Sequence, residues 1–128
     1  MIVVGIGANS RAQGSDFIAA IGDAARAAGG CDVVATYGEA AFAHQVKEAA
    51  QSLRQAFAPI SIEALRARNY DCATRSERTM ASFGVASIAE AAALAGAGEG
   101  SRLIMPRRIV GNITIAAAQS GSAQGQER

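Results

Sequence analysis

The stretch from Phe83 to Ala118 constrains this chain most. It reads Phe83-Gly-Val-Ala-Ser-Ile-Ala-Glu-Ala-Ala-Ala-Leu-Ala-Gly-Ala-Gly98, then, from Arg102, Arg-Leu-Ile-Met-Pro-Arg-Arg-Ile-Val-Gly-Asn-Ile-Thr-Ile-Ala-Ala-Ala118. Ser87 and Glu90 have the S-x-x-E spacing of a capping box, in which each side chain satisfies the other residue's backbone donor and so marks a helix start. Gly96, Gly98 and Gly100 predict its end. Leu103 to Met105 can then enter a sheet until Pro106, which lacks a backbone donor, forces a break. Arg107 and Arg108 fall in the basic turn beyond it, and a second strand runs on to Ala118.

Upstream, strand and helix alternate. Ile2-Val-Val-Gly-Ile-Gly7 is a short β-branched run closed by glycine, the pattern of a strand covered on both faces and central in a parallel or mixed sheet. Ala8 to Gly14 reads as a polar loop. Ser15 and Asp16 supply an N-cap and a first-turn acid for a helix whose apolar positions Phe17, Ile18, Ile21, Ala25 and Ala28 keep the helical period up to Gly29-Gly30. Asp32 to Thr36 is a second strand, completing a βαβ unit with the expected right-handed crossover. From Glu39 to Ala56, Phe42, Val46, Ala49, Ala50 and Leu53 predict a second amphipathic helix, broken by Pro59. Ile60 to Ile62 reads as a short strand and Ile62 to Ala67 as a short helix. Arg68 to Ser82, which carries Arg68, Arg75 and Arg78, has no apolar period and reads as a mobile binding loop. The expected fold is α/β, a three-layer α/β/α sandwich with a central, mostly parallel or mixed sheet of about five strands. One domain is expected over residues 1–118, with a disordered tail over 119–128.

Composition narrows the function classes. A chain of 128 residues, half of them hydrophobic, suits one core that buries roughly 65–70% of the unfolded surface. A formal charge of +1 gives no broad electrostatic footprint for nucleic acid or an anionic membrane, so anion recognition must be local. No apolar run approaches the ~20 residues of a membrane span, and Met1 opens directly into a strand-like run with no basic region before it, so a cytoplasmic protein is expected. Cys31 and Cys72 lack metal-ligand spacing or a histidine cluster, so no metal, no disulfide and no cofactor are expected. Tryptophan is absent and aromatics make up 5%, which speaks against a base-stacking platform.

Local chemistry gathers at the predicted strand ends. Gly5-Ile-Gly7 follows a first strand, but Ser10 stands where a dinucleotide fingerprint needs its third glycine, and no Gly-Lys-Ser/Thr ending makes a P-loop. What remains is a loop at the carboxyl end of a strand, where Gly7, Asn9, Ser10 and Arg11 can offer donors to an anion. Open α/β sheets bind ligands beyond those strand ends, which adds the loop from Thr36 to Glu39. Arg107, Arg108, Asn112 and Thr114 offer guanidinium forks and polar side chains for carboxylates or phosphates. His44 reads as a helix-surface residue, and no catalytic constellation follows from spacing alone. Glu39, Glu63 and Glu90 are the candidate acids or bases, Glu90 having a capping role as well.

The runs Gly84 to Leu94, Arg102 to Arg108 and Gly111 to Ala117 resemble the CobE family of cobalamin-biosynthesis proteins, which is similar to the C-terminal domain of CbiG. Val4-Gly-Ile-Gly7 and Thr36 share the resemblance, which covers nearly the whole chain. The resemblance implies an α/β/α sandwich and a place in the corrin pathway. CbiG-like proteins open the lactone ring of a cobalt-containing precorrin and release a two-carbon fragment during ring contraction. This chain departs from the family's pattern at Ala8-Asn-Ser-Arg11, where a basic run is frequent, and at Glu39-Ala40, where a lysine is common.

Two expectations follow. The leading one is a carrier or accessory factor that binds a precorrin or corrinoid tetrapyrrole, whose many carboxylates suit a cleft holding Arg11, Arg75, Arg107 and Arg108. The alternative is a hydrolase acting on a precorrin lactone or C-acyl group through Glu39, Glu63 or Glu90. Other cobalamin-pathway enzymes are the expected protein partners.

Overall fold

The computed structural model describes residues 1–121. Five strands form one mixed sheet: β1 (Ile2–Ala8), β2 (Val33–Tyr37), β3 (Ala56–Ile60), β4 (Arg102–Val110) and β5 (Ile113–Gln119), in the order β3-β2-β1-β5-β4. β1 is central, parallel to β2 and antiparallel to β5, and β2 pairs with β3 in parallel. Successive residues of a strand face opposite sides, so β1 feeds two cores. Val4 and Ile6 pack with Phe17, Ile21, Val46 and Ala50, from α1 (Gly14–Ala28) and α2 (Ala43–Ser52). Val3 packs with Leu65 of α3 (Ile62–Ala67) and with Ala92, Leu94 and Ala97 of α5 (Ile88–Ala97) on the other face. The α/β/α layering expected from the strand and helix pattern is therefore the observed one.

The glycines of β1 have a packing reason. A Cβ on Gly5 would stand 1.9 Å from the Ala89 carbonyl oxygen and 2.7 Å from the Ala93 nitrogen, so the backbone of α5 rests directly on β1. Gly96, expected to end this helix, lies inside it. A Cβ there would meet Val3 at 3.0 Å and Ala35 at 3.2 Å. The helix ends at Gly98, another of the expected stops, with φ 92°. The alanines of α5 complete this close approach, and most of the helix is buried.

Elsewhere the structure departs from sequence expectations for identifiable reasons. α1 begins at Gly14 after Gln13, whose N–H donates to the Asp16 carboxylate at 2.9 Å, so the start lies before Ser15. The second helix stops at Ser52, because Arg54 takes a left-handed conformation (φ 58°) and the Gln55 N–H turns back to the Ala50 carbonyl. That frees Ala56 to Ile60 to form β3, through Pro59. Pro106 likewise lies within β4. β3 and β4 are the edge strands, where a proline's missing N–H need not cost a ladder bond. β4 absorbs its proline with register shifts between Leu103 and Met105 and between Met105 and Arg108, and the turn into β5 is at Gly111-Asn112 rather than at the arginines.

The segment expected to be a mobile loop is structured. It holds a 3-10 turn at Asn69–Asp71 and α4 (Glu77–Phe83), which Ser76 caps by accepting the Thr79 N–H. Arg68, only 17% exposed at its side chain, donates to the carbonyls of Leu94, Gly98 and Ser101 and to the Ser101 hydroxyl. A guanidinium at a helix C-terminus satisfies carbonyls that have no intrahelical partner. Two residues of the expected 119–128 tail are ordered instead: Gln119 closes β5, and Ser120 bonds the Met1 and Ala97 carbonyls. Residues 122–128 of that expected tail lie outside the described residues. Among the described residues no single helix is long and apolar enough to cross a membrane.

Candidate functional site

The carboxyl ends of β1 and β2 open into a groove of about 530 Å³. Its floor is Ala8, Asn9 and Ser10 after β1, together with Ile113 and Thr114, which start β5 beside it. α4 contributes Arg78, Thr79, Ser82 and Phe83 to its lining, and β4 contributes Arg107 and Ile109. Ser87 and Ile88 bring the N-terminus of α5 to the back of the groove. A shallower extension of about 350 Å³ continues past Phe42 and Gln45.

Its surface is apolar with local positive charge. Tyr37 meets Phe83 edge-on, ring centroids 5.7 Å apart, and Phe42 stacks on the core residue Phe17 at 6.1 Å. Ile109 is 71% exposed at the rim. Arg78 and Arg107 are the cations of the lining, and neither pairs with a carboxylate among the described residues. Among the described residues, no Asp, Glu, His or Cys lines the groove.

Of the residues singled out from sequence, Asn9, Ser10, Arg107, Asn112 and Thr114 converge here. The Asn9 side-chain amide donates to the Asn112 side chain at 3.1 Å, and the Asn9 backbone N–H to the Asn112 carbonyl at 3.0 Å, which locks the two loops together. Gly7 lies just beneath: a Cβ there would stand 2.6 Å from the Thr114 hydroxyl, so the glycine makes room for a groove side chain. Thr36 is buried and donates its hydroxyl to the Ile6 carbonyl at 2.6 Å, tying β2 to β1 below the groove. Arg11 and Arg108 are exposed and outside the lining, and Arg75 is held by Glu77 in an exposed pair.

Glu39 and Glu63 are exposed and also lie outside the lining. Glu90 is fully buried. The reciprocal half of the expected capping box is absent. The Ser87 hydroxyl accepts the Glu90 N–H at 3.2 Å, but the Glu90 carboxylate turns away to accept from the N–H groups of Ala73 (2.9 Å), Thr74 (3.0 Å) and Arg107 (2.8 Å).

Sequence reasoning did not single out Arg78, Phe42 or Phe83 as site residues. For Arg78 a usable signal existed: Ser76 followed by Glu77 is an N-cap with a first-turn acid, enough to predict α4.

The family model for the C-terminus of cobalamin synthesis protein G matches residues 2–118. The chain belongs to this family. Membership ties it to cobalamin biosynthesis. Among solved structures, the cobalamin biosynthesis protein chiG from Agrobacterium tumefaciens is 33% identical with a TM-score of 0.74, over 94% of this chain and 98% of that one. CobE, a protein from the cobalamin (vitamin B12) biosynthetic pathway, shares the fold with a TM-score of 0.81 at 22% identity, over 92% of this chain and 89% of that one. Among curated proteins there is no match.

In this member of the G C-terminus family both thiols are free and partly buried. Burial is the main force that pushes both Cys31 and Cys72 up to about 11, and the neighbouring carboxylates Asp32 and Glu90 add to it. A thiol whose folded value is raised favours the protonated form, so its contribution to stability is present below the unfolded value and is lost as pH rises through the folded one. Both cysteines should therefore alkylate slowly with iodoacetamide at pH 8 in the folded protein and rapidly in denaturant, as followed by mass spectrometry. Fast labelling of the folded chain would contradict this. Among the described residues no cluster of three His, Cys, Asp or Glu side chains could hold a metal ion.

Proposed function

We propose that the groove binds a carboxylate-bearing corrin-type tetrapyrrole intermediate of cobalamin biosynthesis, and that the protein acts as its carrier or as an accessory factor to a pathway enzyme. The observation that carries this reading is the lining: among the described residues, two arginines without carboxylate partners stand beside Tyr37, Phe42, Phe83 and Ile109, with no acidic side chain among them. An apolar macrocycle edged with carboxylates presents the complementary surface, since aromatic and aliphatic side chains cover its faces while guanidinium groups take its acids in a bidentate way. The groove's volume suits one edge of such a ring, leaving the rest accessible to a partner enzyme.

Hydrolysis of a precorrin lactone fits less well. That chemistry needs a positioned acid or base, and Glu39 and Glu63 face solvent while Glu90 is spent on backbone amides.

The test is a titration with hydrogenobyrinic acid followed by its visible absorbance and by calorimetry. Saturable binding that weakens with added salt is expected, together with an unchanged ligand mass after incubation. No signal at millimolar protein would eliminate the binding reading, and a mass change in a lactone-bearing precorrin incubated with the protein would restore the hydrolase.

A further inference from the structure

We infer that Glu90 is the positioning residue of the groove, setting the separation of its two arginines; this rests on the reading that the groove binds carboxylates. The two cations come from unrelated parts of the chain, Arg78 from α4 and Arg107 from β4. Neither is tied to the other by a direct bond. One buried carboxylate reaches the supports of both. One Glu90 oxygen accepts the N–H groups of Ala73 and Thr74, in the segment that leads directly into α4. The other accepts the Arg107 N–H itself, at the register shift of β4.

The arrangement follows from chain geometry. Between Met105 and Arg108 the edge strand advances by three residues while β5 advances by two, from Ala117 to Ile115, so one residue is left over. Such a bulge removes its residue from the ladder and re-aims its side chain. The amide freed there needs an acceptor, and Glu90 supplies it. The segment before α4 has few anchors of its own. α4 buries no residue, and the Thr74 hydroxyl is buried without a partner, so it does not share the task. Its other anchors are the Ser76 N–H, which donates to the Ala86 carbonyl next to the start of α5, the Cys72 thiol, which reaches the Ser87 carbonyl, and, at the far end of α4, the Arg66 Nε, which donates to the Phe83 carbonyl at 2.8 Å. An ionised carboxylate is an acceptor at both oxygens and so matches three donors, whereas a glutamine places an amide N–H against one side of that set. Glu90→Gln should leave the sandwich in place and loosen the spacing between Arg78 and Arg107.

A double-mutant cycle separates positioning from stability, because loss of stability alone leaves the binding terms of the folded protein additive. Affinity for hydrogenobyrinic acid is measured for the Glu90 and E90Q proteins, each with and without R78A and R107A, well below every melting temperature. In the Glu90 protein each arginine loss should weaken binding about tenfold. In E90Q both losses together should weaken it less than about threefold, and the salt dependence should flatten. Arginine effects of equal size in both backgrounds would overturn the inference. Absence of binding by the wild-type chain would overturn the reading beneath it, a distinct result. If E90Q does not fold, amide exchange in the wild-type protein decides. Ligand should slow Ala73, Thr74 and Arg107 together, and slowing at Arg107 without the other two would overturn the coupling.

Discussion

Replacing Gly5 by alanine should destabilise the protein by about 3 kcal/mol or more, lowering its melting temperature by about 10 °C or more. The added methyl would stand 1.9 Å from the Ala89 carbonyl oxygen and 2.9 Å from the carbon of the same group. These are backbone atoms, so no side-chain rotation relieves the clash. α5 would have to lift off the sheet, opening voids against Val3, Ala35 and Ala118, all fully buried. Gly14→Ala is the matched control. Nothing lies within 4 Å of its Cβ position, and Gly14 opens α1, so alanine there should be neutral or slightly stabilising. Thermal or urea unfolding followed by circular dichroism reads both. A Gly5→Ala protein as stable as the control would mean that α5 does not rest on β1 as described.

The second large effect concerns the groove. Arg78→Ala and Arg107→Ala should each weaken hydrogenobyrinic acid binding about tenfold, and the pair about a hundredfold if each meets its own carboxylate. Arg11→Ala and Arg108→Ala should change affinity little, since both side chains lie outside the lining and face solvent. Comparing the acid with its fully esterified form isolates the charge term: the ester should bind more weakly to the wild type and lose little further affinity in the double variant. Equal effects from all four arginines would point instead to a diffuse electrostatic attraction, which salt screens and groove geometry does not shape. Stability of each variant should match the wild type, because neither groove arginine pairs with a carboxylate among the described residues.

Much of the architecture was readable residue by residue. Val3, Val4 and Ile6 announce a strand covered on both faces, and the period of Phe17, Ile18, Ile21, Ala25 and Ala28 a helix, of which Phe17 and Ile21 face one of those cores while Ile18 is exposed. Ser87 marks the start of α5, as its bond to the Glu90 N–H confirms. The two proline misreadings share one cause: local punctuation does not say whether a strand has a neighbour on both sides. Pro59 and Pro106 looked like breaks because proline removes a ladder donor, yet both lie on edge strands that tolerate the loss. Gly96 looked like a helix stop because glycine usually is one, yet its missing side chain admits Val3 and Ala35.

The site shows the same division. Asn9 and Ser10 could be placed beside the Thr36 loop because open α/β sheets gather their loops at strand ends, a rule that needs only strand order and direction, whereas Asn112 and Thr114 join them only through the antiparallel pairing of β5 with β1. Arg107 and Arg108 are adjacent in sequence and alike in chemistry, so nothing local separates them; the register shift in β4 decides which one lines the groove. Arg78 required knowing that α4 folds across the end of β2.

By itself the sequence determined the elements that local chemistry encodes: periodic apolar faces, caps and glycine stops, along with the motifs that resemble the cobalamin-synthesis family. Only the tertiary structure decided what Glu90 does. Its spacing from Ser87 matches a capping box, but a carboxylate satisfies whichever donors reach it, and those donors come from Ala73, Thr74 and Arg107, each 16 or 17 residues away along the chain. Hydrogen bonding depends on distance in space, and that distance is set by the whole packed sandwich.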